Sequence, residues 1–161
     1  MSDSKKMPGE NVVVMPSKKA ILESEKKWGV VTMRCHFTIL PALLLRAGAR
    51  IGISPTQLAL IIQINDFWWN HEKWPWVTYA ELGHRLNISE KVVQRNMAAL
   101  EKRGYVKRIT RILGHRRRAN GYDLSGLIAQ LQKLAPEFLD AEDAKKKVQK
   151  RGGVDVLARK M

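Results

Sequence analysis

Residues 76–124 read WVTYAELGHRLNISEKVVQRNMAALEKRGYVKRITRILGHRRRANGYDL, and this run decides the fold. Thr78 offers a capping hydroxyl and Glu81 stands three residues on, the spacing of a capping box. The helix that follows, YAELGHRL, is short. It stops at Asn87, a residue that tolerates the left-handed backbone of a tight turn. Ala80 is small where two helices must approach, and Leu82 and Leu86 stand one turn apart on the inward side. Ser89 caps a second helix, and Glu90 in its first turn suits the helix dipole. The inward face of that helix is Val93, Met97 and Leu100, at steps of four and three. Its outward face is Glu90, Lys91, Gln94, Arg95 and Ala98. Gly104 ends it.

A hairpin is expected next. Residues 105–113 form one strand and residues 119–124 the return strand, with Asn120-Gly121 as a turn or bulge signal. The alternation of apolar and polar residues is imperfect, so the register stays open. Between the strands lies GHRRR. Three adjacent arginines at a hairpin tip repel one another unless an anion screens them. The tip therefore suits phosphates or a narrow minor groove. From Arg85 to Arg118 there are 11 basic residues and 2 acids, so much of the chain's net charge of +14 falls in about one-fifth of its 161 residues. An excess of 29 Lys and Arg over 15 acids, clustered in this way, favours a polyanion partner.

The order of helix, tight turn, helix and basic hairpin is that of a winged helix-turn-helix, which lays its second helix in a DNA major groove. The expected fold is mainly α with a small β-hairpin wing, plus extra N-terminal and C-terminal helices. On the recognition helix, Lys91 or Arg95 can donate to guanine O6 and N7, and Gln94 can pair with adenine N6 and N7. Val92 meets a thymine methyl or belongs to the core. Ser89, Glu90, Lys91, Gln94 and Arg95 are thus the candidate helix contacts. His115, Arg116, Arg117 and Arg118 are the candidate wing contacts, and Thr78, Arg85, Lys107, Arg108 and Arg111 the candidate backbone contacts. An amphipathic helix with a solvated polar face has the same pattern. The capped helix before it and the basic hairpin after it weigh against that blander reading.

Around this unit the chain divides into a flexible N-terminal arm over 1–24, the winged domain over 25–139 and a basic C-terminal tail over 140–161. Val30, Val31, Phe37, Ile39 and Leu40 point to an extended segment, and Pro41 to the first turn of a helix ending at Gly48 or Gly52. Ser54-Pro55 starts a helix that runs to about Asn70. Leu58, Ile61, Ile62 and Trp69 form its buried face, and Leu60, Ile64, Phe67 and Trp68 widen the apolar stripe, part of which suits a second subunit. Trp68, Trp69, Trp74 and Trp76 fall within nine residues. They read as core and corner packing in preference to a stacking platform for bases. A further helix is expected over 125–139, bent at Pro136, before a tail whose KKKVQKR carries five basic residues in seven. Whether the arm and the tail touch DNA stays open.

Other chemistry finds little footing. Cys35 is a lone cysteine and reads as a small buried hydrophobe; with scattered histidines it makes no metal set. No catalytic triad, phosphate-cradling glycine loop or polar effector pocket can be assembled. Asp66 and His71 are five apart and face different ways, and His84 and His115 have no local carboxylate. No enzyme activity, cofactor, metal or small-molecule effector is expected. The apolar stretches 39–45 and 58–64 are too short to span a bilayer, and MSDSKKMPGENVVV has no long apolar core of a signal peptide. A cytoplasmic protein, associated with nucleoid or plasmid, is expected.

The runs PTQLALIIQINDFWW, TYAELGHRLNIS, EKVVQRNMAALEKRGYVKR and GYDLSGL resemble the winged helix-turn-helix family of bacterial plasmids, phages and other mobile elements. FTILPALLL upstream is similar to the lead-in of some members, so the likeness covers about residues 28–135. The resemblance implies that Ser89, Lys91, Gln94 and Arg95 contact DNA. Glu90 departs from it, with an acid where the family often has a basic residue; it accepts from cytosine N4 or merely caps the helix. Family members regulate transcription, start plasmid replication, or serve transfer and partition. The resulting expectation is a homodimeric, sequence-specific double-stranded DNA binder. A repressor leads, a replication, transfer or partition accessory follows, and an RNA-binding or protein-interaction winged helix is remote.

Overall fold

Capping side chains set where this chain becomes helical. The computed structural model describes residues 18–113 and 116–150, with the side chains of 111–118 left aside. Its elements in chain order are α1 (Lys18–Trp28), α2 (Val30–Arg34), α3 (Ala42–Ala47), α4 (Pro55–Asp66), β1 (Trp76–Val77), α5 (Tyr79–Leu86), α6 (Glu90–Lys102), β2 (Lys107–Leu113), β3 (Arg116–Asp123) and α7 (Ser125–Lys150). At α4 a full capping box forms: the Gln57 amide donates to Ser54 Oγ at 3.2 Å and the Ser54 amide to Gln57 Oε1 at 3.0 Å. At α5 the Glu81 amide donates to Thr78 Oγ1 at 3.0 Å. At α6 the Val92 amide donates to Ser89 Oγ at 3.3 Å.

The turn between α5 and α6 follows from two residues. Asn87 takes φ 52° and ψ 44°, the left-handed conformation expected of it. The Ile88 amide then reaches back to the Gly83 carbonyl at 2.9 Å, closing the helix end. A Cβ on Gly83 would lie 2.7 Å from the Ile88 carbonyl oxygen, too close for any side chain. Gly83, and not Ala80, is the small residue that this approach requires. Ala80 stands exposed in the first turn of α5, away from the contact.

The winged unit lies within residues 39–161, and its core joins every layer. Leu44 of α3, Leu60, Ile61 and Ile64 of α4, Leu82 of α5, and Val93, Met97 and Leu100 of α6 are buried together. Val77, Val106, Tyr122, Leu124, Leu127 and Leu131 close it from the sheet and α7. The buried face of α4 is thus Leu60, Ile61 and Ile64 with Gln57; Leu58 and Ile62 are half-buried and Trp69 is exposed. Trp69 leaves the stripe because α4 ends at Asp66, short of Asn70. The Phe67 and Trp68 amides bond three residues back, to Ile64 and Asn65, which tightens the chain out of the helix. Pro41 caps α3 instead of opening it. Arg50 grips Glu137 with two hydrogen bonds of 2.7 and 2.8 Å, holding the segment after α3 to α7.

The sheet is antiparallel, in the order β1-β3-β2. Asn120 and Gly121 are not a turn: they lie in the central strand, opposite Val77 and Trp76 on one side and Thr110 and Ile109 on the other. Gly121 belongs there because a Cβ would lie 3.1 Å from the Trp76 ring, which covers the strand. The irregularity falls between the Thr110 and Ile112 pairs. The return strand begins at Arg116, three residues before the expected start, with Arg117 opposite Ile112 and Arg116 opposite Leu113. The three arginines therefore belong by backbone to β3, not to a loop.

Three boundaries differ from expectation. Residues 18–24, read as part of a flexible arm, are helical; α1 is rich in helix formers and carries a Lys26–Glu23 pair at 2.7 Å. Val30 and Val31, read as extended, open the one-turn α2 after Gly29. The chain parts into units Met1–Thr38 and Ile39–Met161, with the helices and strands of the winged unit all in the second. Cys35 is exposed, and α1 and α2 beside it bury no residue. At the other end, α7 runs unbroken through Pro136 to Lys150, past the expected end at 139 and into the expected tail.

Replacing Gly83 with Ala should lower unfolding free energy by about 1–3 kcal/mol, the usual range for a side chain forced into a filled site. Thermal denaturation checks this, and an unchanged midpoint would mean that the turn can open to admit the methyl group.

Candidate nucleic-acid interface

Burial fixes the rotation of α6. Val93, Met97 and Leu100 have no exposed surface, which turns Glu90, Lys91, Gln94, Arg95 and Ala98 to solvent. All five lie where their helical spacing puts them. Val92 is half-buried, and Asn96 turns back to donate to the Val92 carbonyl at 2.9 Å. The N-terminal half of α6 thus presents one acid, two cations and one amide, a set able to read base edges.

The helix and the hairpin face a common space. Thr78, Tyr79 and Ala80 from the start of α5, Glu90 and Gln94 from α6, and Arg108, Ala119 and Asn120 from the hairpin line one open groove of about 780 Å³. This brings Thr78, Glu90, Gln94 and Arg108 together. Lys91 and Arg95 are exposed on α6 outside the groove lining, and Ser89 caps the helix beside the α5–α6 turn, with Gly83, His84, Asn87 and Ile88. Lys107 belongs elsewhere. It lines a separate recess of about 550 Å³ with Glu101, Thr110 and Asp123, the last its cross-strand neighbour. Arg111, Arg116, Arg117 and Arg118 are placed by backbone on β2 and β3. His115 lies outside the described residues.

Two expected phosphate contacts are occupied inside the protein. Arg85 bonds Asp66 Oδ2 at 2.9 Å, Glu81 Oε1 at 3.1 Å and Gln63 Oε1 at 3.3 Å, and lies 4.2 Å over the Phe67 ring. The Asp66 bond raises its pKa above the ordinary guanidinium value, partial burial opposes the rise, and Glu81 adds to it. Arg108 donates to Tyr79 Oη at 3.2 Å and pairs with Glu101 at 3.6 Å. The four-residue i,i+4 step from Glu81 to Arg85 was legible in sequence; the partners Asp66 and Glu101, contributed by other helices, were not. The tryptophans also divide. Trp69 and Trp74 are exposed, against the expectation of core packing, and line an open recess of about 480 Å³ with Phe67, Lys73, Glu72 and Trp76.

With this geometry in hand, comparison with known families is decisive. The sequence pattern of the DnaD N-terminal domain matches residues 40–144, nearly the whole winged unit. The chain belongs to the DnaD N-terminal domain family. Among solved structures it is similar to the crystal structure of transcriptional regulator PA3341, at 19% identity over 88% of this chain and 96% of that one, with a TM-score of 0.37. No curated protein matches at a significant level. Among the described residues, no helix of this DnaD-type domain is long and apolar enough to cross a membrane. Nor does any cluster of three His, Cys, Asp or Glu gather there to hold a metal ion.

In this DnaD-type domain Arg85 braces α5 against α4. Arg85→Ala should therefore cost about 1 kcal/mol of stability, the scale of partly exposed ion pairs and one cation–π contact. Urea denaturation reads this directly. Full stability in the variant would return Arg85 to the solvent face and reopen a phosphate role.

Proposed function

We propose that this protein binds double-stranded DNA, with α6 entering the major groove and the β2–β3 hairpin resting on phosphates or the adjacent minor groove. The observation that carries the reading is the shared groove: the polar face of α6 and the foot of the basic hairpin open to the same side. A duplex presents both features at once, a groove that admits a helix and a phosphate ridge beside it. The net charge of +14 supplies attraction without sequence preference, and Gln94, Arg95 and Lys91 supply the discrimination. Binding, with no catalytic step, is the whole activity in this reading, and the cytoplasm is its place.

Membership of the DnaD N-terminal domain family favours a role in replication over the repressor that heads the sequence reading. The same contacts serve either role, since each needs occupancy of a chosen site. We further propose that the protein acts as a homodimer on an inverted repeat. Helices α1 and α2 bury nothing and expose Leu22, Trp28, Val30 and Val31, an apolar surface of the kind that a twin chain covers.

Selection of binding sites from a random duplex library tests the reading. A defined site should emerge, palindromic if the protein is a two-fold dimer. Gln94→Ala and Arg95→Ala should each cost about 1–3 kcal/mol at one base step while leaving other positions alone. Affinity should fall by orders of magnitude between roughly 50 and 200 mM salt. Enrichment of no sequence, or a flat salt response, would remove duplex DNA as the partner.

A further inference from the structure

Beneath the shared groove lies a polar cluster that DNA contact does not explain. Arg108, at the foot of β2, sends its fork to two other elements: Tyr79 at the start of α5, at 3.2 Å, and Glu101 near the end of α6, at 3.6 Å. Both partners of the ion pair are about two-thirds buried, with side-chain exposures of 33% and 29%. Around them Asn120 Oδ1 and Tyr122 Oη are buried side by side, and Glu101 Oε1 meets Arg108 at ion-pair rather than hydrogen-bond distance. Tyr122 has no exposed surface. Burial first, and Tyr79 after it, push its phenol above the usual range, while Asn120 and Arg108 pull it down. Arg108 thus stands at a spot where three elements bring oxygen atoms together: α5, α6 and the sheet.

Such a cluster is costly unless it does something. A buried oxygen that loses its partner costs about 1–3 kcal/mol, and an apolar core would avoid that exposure to loss. What a charged network in low dielectric provides is a fixed arrangement of the parts it joins. Here those parts are α6, the helix before it and β2, the edge strand of the wing. The apolar core holds α6 and the base of the hairpin through Val106 and Tyr122, and Arg108 adds a polar tie above it.

We propose that Arg108 is a positioning residue: it clamps the foot of the hairpin to Tyr79 and Glu101 and so sets the angle between α6 and the wing. This rests on the duplex-binding reading for its consequence, not for its geometry. Arg108 acts through the arginines that β3 carries and not as a phosphate contact itself. A planar fork reaching two partners is what lysine cannot copy. Arg108→Lys keeps the charge and so separates the two roles.

Two measurements on the full chain test this. The first needs no DNA: amide hydrogen exchange in Arg108→Lys should quicken across β2 and β3 while α5 and α6 keep their protection. Unaltered exchange in the hairpin overturns the clamp. The second follows duplex affinity against salt. Loss of one phosphate contact lowers the slope by about 0.9. A wing that swings away removes several together, so Arg108→Lys should weaken binding roughly tenfold or more and reduce the slope by about two or more. A slope lowered by one or less in a binding-competent variant overturns the positioning role. Glu101→Ala supplies a test of sign. Removing an acid beside DNA ordinarily strengthens binding; loss of the clamp weakens it, and a gain in affinity overturns the proposal. If the unaltered protein fails to bind any duplex, the functional reading falls, and hydrogen exchange alone decides the clamp.

Discussion

The fit of Val93, Met97 and Leu100 beneath α6 is the constraint on which the rest depends. All three side chains are fully buried, and each contributes roughly 1.5–3 kcal/mol by leaving water. A cap or a surface ion pair contributes about 1 kcal/mol or less. Packing therefore decides the rotation of the helix, and the polar residues take the face that remains. A rotation by one residue, about 100°, would bring Gln94 toward the core and expose Val93. No rearrangement of surface charge offsets that. The chemistry of the exposed face is thus dictated from below.

Electrostatics enters at a second level. A chain with this much positive charge must keep its cations apart or neutralise them. Arg85 is neutralised by Asp66 of α4 and Glu81 of its own helix, and Arg108 by Glu101 of α6. Arg50 is held by Glu137 on the surface. These arginines join elements and stiffen the scaffold. Lys91 and Arg95 face solvent on α6. The division matters for function: a cation already bonded within the protein must give up that bond to meet a phosphate, whereas an exposed one gives up only water.

Local signals carried far in the sequence. The hydroxyls of Ser54, Thr78 and Ser89 cap their helices, and Asn87 makes the left-handed turn, because these effects involve residues only two to five apart. The polar face of α6 followed from its spacing for the same reason. What escaped depends on distant neighbours. Asn120-Gly121 has the local chemistry of a turn, yet Trp76, over forty residues earlier, lays its ring on Gly121 and makes it part of a strand. Arg85 and Arg108 have the composition of DNA contacts, yet Asp66 and Glu101 reach them across helix packing. Trp69 looked buried because its helix was taken to continue, and the tightened turn at Phe67 swung it out.

Pro136 does not interrupt α7, and this has a mechanical outcome. A continuous helix of 26 residues has a contour of roughly 39 Å at about 1.5 Å per residue. Its only buried side chains, Leu127 and Leu131, sit in the first two turns. Arg50 holds the helix again at Glu137, and from Leu139 to Lys150 every residue is exposed. Lys145, Lys146, Lys147 and Lys150 ride on that exposed stretch. Whatever those lysines meet is held at arm's length from the anchored base, and a small tilt at the root sweeps the far end through many ångströms.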